Sequence, residues 1–473
     1  MVACFGNVPD SGGSGAHGSD TTDLSAPCMN IAYLDPPYSR YFHKLCALLN
    51  QRTGGTTVAL LSSPAYRLYA HGDPTRVWEP GELPKPCPVP PAFERAEWAQ
   101  ADPERFRRVL AHAVEWFKAR FREGRIEVCL LFSDARPFSL AAHIAAKELG
   151  VVCLFFERGA FRFRTASLST QGLNARFRLG EAKRCDRITG LAEAGLPARR
   201  PIEAGLRLRF VAFMVANALV CAMNPRRLPM LHKRYHVFNY LRIAVSQFLA
   251  ERHVVEDAPA PQRLPQDVPT VILPLQLQTD SQFVMHSPFK HNQELLDFVV
   301  PRVMAEAPGA QVLVKKHPMD VRSYRLPPGA LWVEGSLARF YPSARVLVCL
   351  NSTVGFEAAW HGKVVLCFGE SFYTDDPHIA RVTTSDFSAQ LKIAFTRHDD
   401  AAAGNLLKDA VLRYYQSPGD VWAYTAADLH ATAEIVVQHV QRKVDHHRQD
   451  SAPRCRINAA STGRADVSPH EGV

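Results

Sequence analysis

The sequence predicts an α/β protein with two Rossmann-like domains facing each other across a cleft. Apolar strand runs alternate with helical patterns in two separate series, and a Pro/Gln-rich segment at 257–269 divides them. Size agrees with this. At 473 residues the chain exceeds the roughly 250–300 residues that one hydrophobic core supports.

In the first series, strands are expected at 31–34, 57–61, 126–132 and 151–156, with helices at 41–51, 103–122 and 139–149. The runs at 126–132 and 151–156 are apolar throughout, as in parallel strands covered on both faces. Ligands bind beyond the carboxyl ends of such strands, where Asp134 and Glu157 stand. The second series holds strands at 270–275, 311–314, 346–350 and 363–367. Its helices are at 293–305 and 354–361, with an excursion to 332–333. The expected organisation is a disordered tail at 1–28, an N-terminal domain at 29–175 and a basic helical region with linker at 176–268. A C-terminal domain at 269–443 and a disordered tail at 444–473 complete it.

Hydrophobic residues make up 47% and charged residues 21%, which excludes wholesale disorder, collagen-like sequence and disulfide miniproteins. The formal charge of +9 is concentrated, because residues 176–242 hold fourteen Lys/Arg against four Asp/Glu. Such a stretch points to an anionic partner such as nucleic acid, acidic lipid or sugar phosphate, or else to a solvated basic face. Eleven cysteines without CxxC spacing, several inside apolar runs, read as thiols in a reducing compartment. The N-terminus lacks a signal-peptide pattern, and the apolar run at 210–223 contains Asn217. That run is short of the ~20 residues a membrane span needs, so a cytosolic protein is expected.

The strongest local signal is Asn351-Ser352-Thr353-Val354-Gly355-Phe356-Glu357, where a buried strand stops and a helix starts. Free N–H groups there make an anion site, Ser352 or Thr353 can cap the helix, and Glu357 lies one turn in, placed for ribose hydroxyls. An ordinary capped helix is the alternative. Lys315-Lys316-His317-Pro318 stands at another strand end, and the two loops together favour a nucleotide phosphate. On the N-terminal side, Asp134-Ala135-Arg136-Pro137 and Glu157-Arg158-Gly159 supply carboxylates suited to general base or nucleophile duty in sugar transfer, or to ion pairs with Arg136, Arg158 or Arg162. The polar loop Gln276–Gln282, with Asp280, aims at the same cleft. No GxxxxGKS/T, HExxH, GxSxG, spaced Cys/His set or DxD-like pair is present, so kinase and hydrolase classes lose weight and no metal is expected. The helix expected at 235–249 and the apolar run at 210–223, flanked by Arg207, Arg209, Arg226 and Arg227, are candidates for an anionic membrane surface or for core helices with solvated flanks.

Several motifs occur in a family order: Asp35-Pro36-Pro37-Tyr38, Asp134-x-Arg136-Pro137, Glu157-x-Gly159 and Gly172-Leu173-Asn174. They continue with Pro274-Leu275-Gln276, Asp280-Ser281-Gln282, Lys316-His317-Pro318, Asn351-Ser352-Thr353 and His361-Gly362-Lys363. Over about residues 31–387 the chain resembles the Gram-negative capsule polysaccharide biosynthesis/export proteins of the KpsS/LipB type.

The resemblance implies a GT-B-like glycosyltransferase, a retaining β-Kdo transferase that uses CMP-Kdo. It implies transfer of the first Kdo of a capsule linker to a phosphatidylglycerol-type lipid. It also implies a cytoplasmic protein, peripheral on the inner face of the cytoplasmic membrane. The implied partners are the export machinery and no nucleic acid, with no cofactor beyond the donor. By carry-over, Lys316, His317, Asn351, Ser352, Thr353 and Glu357 hold the nucleotide, while Glu157, Asp134 and Asp280 are candidates for chemistry or Kdo contacts. One departure matters: relatives often carry a second carboxylate after the glutamate, and this chain has Arg158. A non-catalytic assembly or export factor that binds the lipid-linked glycan, and a GT-B enzyme acting on another sugar nucleotide, stay open.

Overall fold

The apolar runs read as buried strands are the centres of two sheets. A computed structural model describes residues 28–185, 191, 195–231, 268–320 and 322–451. The first half contributes β1 (Ile31–Leu34), β2 (Thr57–Leu61), β3 (Thr75–Val77), β4 (Val128–Phe132), β5 (Val152–Arg158) and β6 (Thr165–Ser169). The second contributes β7 (Thr270–Pro274), β8 (Gln311–Lys315), β9 (Ala330–Trp332), β10 (Ala344–Cys349), β11 (Val364–Cys367), β12 (Ile379–Arg381) and β13 (Gln416–Pro418).

The first sheet runs β13-β6-β5-β4-β1-β2-β3 and the second β12-β11-β10-β7-β8-β9. Counted from its own first strand, each sheet has the order 3-2-1-4-5 of the dinucleotide-binding fold, with two further strands at the edge of the first and one at the edge of the second. The second sheet is parallel throughout, while the first ends in two antiparallel pairings, β5 with β6 and β6 with β13. Full burial of Val128–Phe132 and of Val312, Leu313 and Val314 follows from helices lying on both faces. The helix Pro103–Glu123 shows how local chemistry sets such boundaries. Asp102 accepts the Arg105 N–H at 3.1 Å, Pro103 opens the first turn, and Gly124 follows the last. Its inward stripe of Phe106, Leu110, Val114, Phe117 and Phe121 packs on the sheet core.

Three expectations are corrected. The 269–443 unit is not a single body, because after the helix Ala401–Tyr415 the chain returns to the first sheet as β13. The helix Ala426–Ser451 then packs on the helix Tyr41–Thr53 and buries Leu429, Ala433, Val436 and Val440 with Tyr41, Phe42 and Leu45. An antiparallel edge at β6 needs a partner, and β13 supplies it. The same helix reaches Ser451, into the stretch expected as a tail. Third, the apolar run at 210–223 is part of a longer helix, Leu206–Met223, whose 18 residues are long and apolar enough to cross a membrane by length and composition. Phe213, Met214 and Asn217 of that helix are buried against the first lobe. The helix expected at 235–249, most of the linker, residues 1–27 and residues 452–473 lie outside the described residues.

Candidate functional site

Strand ends and their loops set the site. The carboxyl ends of β4, β5, β7, β8 and β10 converge on one cleft of about 400 Å³. Glu157 from the first lobe and Thr353 from the second both line it. Aromatic packing closes the joint behind them: Phe161 stacks on Trp360 with centroids 4.9 Å apart and meets Phe356 edge-on at 5.4 Å.

The second lobe presents the anion-directed side. Ser352 caps the helix Thr353–Trp360 by accepting the Val354 N–H at 3.2 Å, and Tyr373 Oη donates to the Ser352 carbonyl at 2.6 Å. The first turn of N–H groups, at the positive end of the helix dipole, therefore borders the cleft at Thr353. The close approach permitted by Gly355 is to protein. A Cβ there would lie 2.4 Å from Tyr373 Oη and 2.7 Å from Cys349 Sγ. His317 Nδ1 accepts the Met319 N–H at 3.1 Å, which leaves the proton on Nε2. Burial pushes this imidazole below its ordinary pKa, against the pull of Asp280 and Asp320, so it is a neutral N–H donor at pH 7. Lys316 is exposed at the rim and donates to the Arg322 carbonyl at 3.2 Å. Lys315 lines the cleft beside it, tethered to the Gly335 carbonyl, and burial lowers its pKa.

The first lobe presents the acidic side. Glu157 lies within β5 rather than beyond it, opposite Ser167 of β6, because the antiparallel pairing extends the strand to Arg158. Gly159 makes the tight β5–β6 turn possible, since a Cβ there would sit 2.2 Å from the Thr165 carbonyl oxygen. Burial raises the Glu157 pKa, opposed by Arg136 and Arg162. Asp280 lines the cleft and caps the short helix Ser281–His286 through the Gln282 N–H at 2.8 Å.

Two carried-over residues stand elsewhere. Asp134 is buried outside the cleft lining, accepts the Leu173 N–H at 3.0 Å and pairs with Arg176 Nε at 3.7 Å. It holds the 173–176 loop. Glu357 stands one turn behind Thr353, also outside the lining, with Lys315 and His361 as its charge neighbours. Among the other lining residues, Arg162 was read from sequence only as an ion-pair partner, whereas Asn351 and the 276–282 loop were expected at the cleft. Arg162 enters the cleft as a cation, with Glu157, Asp280 and Asp420 as counter-charges. Gln276, Gln282 and Asn351 each bring a buried amide oxygen without a hydrogen-bond partner to the wall.

The model of the family described as capsule polysaccharide biosynthesis protein matches residues 127–326 and 330–413. The chain belongs to that family. The matched stretch carries Glu157, His317 and Thr353. The capsule polysaccharide modification protein LipB of Neisseria meningitidis serogroup B is 25% identical over 299 residues, 57% of this chain and 70% of LipB. The capsule polysaccharide export protein KpsS of Escherichia coli is 23% identical over 303 residues, 59% of this chain and 77% of KpsS. A shorter match, 32% over 108 residues, covers 22% of this chain and 27% of the protein FixF of Sinorhizobium fredii. Among solved structures, the β-Kdo 2,7 transferase of Thermosulfurimonas dismutans KpsC aligns with a TM-score of 0.37 and 13% identity, over 88% of this chain and 99% of that one.

Proposed function

We propose that this capsule biosynthesis protein is a glycosyltransferase that moves Kdo from CMP-Kdo to a phosphatidylglycerol-type lipid and so starts the capsule linker. One observation carries the reading: Glu157 of the first lobe shares a cleft with the Thr353 helix start, His317 and Lys315 of the second.

In this reading the donor phosphate rests against the first turn of Thr353–Trp360, with the His317 Nε2–H and the Lys315 amine beside it. These groups stabilise the charge that develops on CMP as it leaves. Arg162 is the cation available to the Kdo carboxylate. Glu157 faces the anomeric carbon. On a retaining path, a Glu157 oxygen bonds that carbon while the carbon–phosphate oxygen bond breaks and CMP departs with the electron pair. The lipid hydroxyl then bonds that carbon as the carbon–Glu157 oxygen bond breaks, Glu157 leaves as a carboxylate, and the hydroxyl proton passes to solvent water. Arg158 is turned toward Asp420. Asp134 supports the loop behind, and no second carboxylate is needed on this strand.

The test is incubation of the full chain with CMP-Kdo and a fluorescent phosphatidylglycerol acceptor. Released CMP and an acceptor heavier by one Kdo are expected. Glu157→Gln should lower transfer by about 1,000-fold with CMP affinity retained. Full activity in that variant refutes the role of Glu157. Turnover confined to another sugar nucleotide assigns the cleft to a different donor, and glycan binding without turnover assigns an assembly role.

A further inference from the structure

The helix Leu206–Met223 has its polarity reversed. Leu208 is 76% exposed, Leu219 60% and Met223 77%, and Val211 and Val215 are each about half exposed. At 100° per residue these five fall on one side, and Ala212 and Ala222, also exposed, lie among them. No polar residue interrupts that side. The polar residue of the helix centre, Asn217, is fully buried instead. A helix in water shows the opposite arrangement, and a contiguous apolar surface marks a docking face.

We propose that this helix lies in the headgroup region of an anionic bilayer, its outward side in the acyl boundary and the flanking arginines on lipid phosphates. Charge selects the occupant. Exposed Arg199 and Arg207 stand near the start of the helix and exposed Arg226 beyond its end. Residues 195–231 contain six arginines against a single acid, Glu203. A second copy would bring the same positive charges together. Residues 232–267 of this chain hold five Lys/Arg against four Asp/Glu, so they offer no excess negative charge. An anionic lipid surface supplies both the apolar layer and the counter-charge.

Phe213 and Met214 anchor the inner side in the protein core, so the helix rests on the membrane rather than crossing it. The position also suits the proposed chemistry. Phe210 and Phe213 each lie 5.3 Å from the Tyr38 ring, and the Arg136 guanidinium sits 5.4 Å from the same ring. Arg136 in turn acts electrostatically on Glu157. The docking face is thus a few side chains from the cleft. The purpose of the docking rests on the lipid-acceptor reading, but its measurement does not.

The experiment is flotation of the full chain with vesicles of phosphatidylcholine, with and without phosphatidylglycerol, in the absence of any sugar donor. Binding to the phosphatidylglycerol vesicles is expected, weakened by salt and at least about tenfold weaker in V215D/L219D. Met223→Asp, in the last helical turn, is a milder second variant expected to weaken binding in the same direction. Transfer to a detergent-dissolved acceptor should be unchanged in both variants. Unchanged flotation in both overturns the docking. So does a dimer in light scattering that V215D/L219D dissociates, or crosslinking of residues 232–267 to this helix face. Flotation without transfer by the wild type tells against the enzyme reading alone.

Discussion

The guanidinium of Arg158 meets the carboxylate of Asp420 at 3.2 Å, joining the strand that carries Glu157 to the chain's last return into the first lobe. Asp420 is fully buried and also accepts the Phe163 N–H at 3.1 Å and the Trp422 N–H at 3.0 Å. Arg158 lies over the rings of Trp422 and Phe163, at 4.3 and 4.7 Å. Beside the cleft carboxylate of Glu157, this chain has a cation that secures the segment after β13.

Removing one partner leaves a desolvated charge uncompensated. Asp420→Ala should cost about 3 kcal/mol in urea unfolding, whereas R158M/D420L should cost clearly less because neither charge is then stranded. Equal stability of Asp420→Ala and wild type would show that the pair does not hold this segment.

Asp35 gives stability a pH dependence. Burial raises its pKa to about 6, although the Ser62 N–H and hydroxyl donate to it at 2.8 and 2.6 Å. An acid with a raised folded-state pKa binds its proton more tightly when folded. Its contribution is therefore greatest below the unfolded value and is lost as pH rises through about 6. The loss from this shift is about 3 kcal/mol. Asp35→Asn should flatten that decline in denaturation midpoints measured across the range. A decline of the same size in the variant would assign the effect to other groups.

In the proposed reaction His317 donates its Nε2–H as a neutral imidazole. His317→Ala should lower kcat/KM for the donor by about 100-fold, as loss of one preorganised donor does. It should leave the shape of the profile unchanged above about pH 7, because burial holds this imidazole below the ordinary histidine range. With Glu157 as the proposed nucleophile, an acidic limb should come from its carboxyl, with activity gained as pH rises through its raised pKa. If His317→Ala removes a limb near neutrality, the residue acts through its charge.

Gly355→Ala drives a methyl into Tyr373 and Cys349. About 1–3 kcal/mol of stability should be lost, together with CMP affinity, because Tyr373 positions the Ser352 carbonyl at the helix start. Calorimetric titration and thermal unfolding read the two effects. An unaffected CMP affinity would separate the packing of Gly355 from the nucleotide loop.

Much of the site was legible because strand ends announce it. Apolar runs such as 128–132 stop abruptly, and the polar residues that follow lie beyond the carboxyl edge of a parallel sheet. His317 and Thr353 are found that way, and Glu157 ends the apolar run of β5 while still paired within the strand. Asp134 and Glu357 occupy equivalent places in the sequence, but a loop from residues 173–176 claims the first and one helical turn sets back the second. Nothing in their neighbours' identities distinguishes a carboxylate that faces a cleft from one that holds a loop. Lys315 and Lys316 are adjacent in the same way, and pairing decides that the former is partly buried and the latter exposed.

Period and composition alone determine the alternating elements, the two-sheet plan and the loops that line the cleft, because these depend on neighbours close in the chain. Tertiary structure decided the return of 416–451 to the first lobe, the use of Arg158 as an anchor and the outward side of Leu206–Met223. Each of these depends on a partner far away in sequence, or on the lack of a covering one. A local pattern holds no record of either.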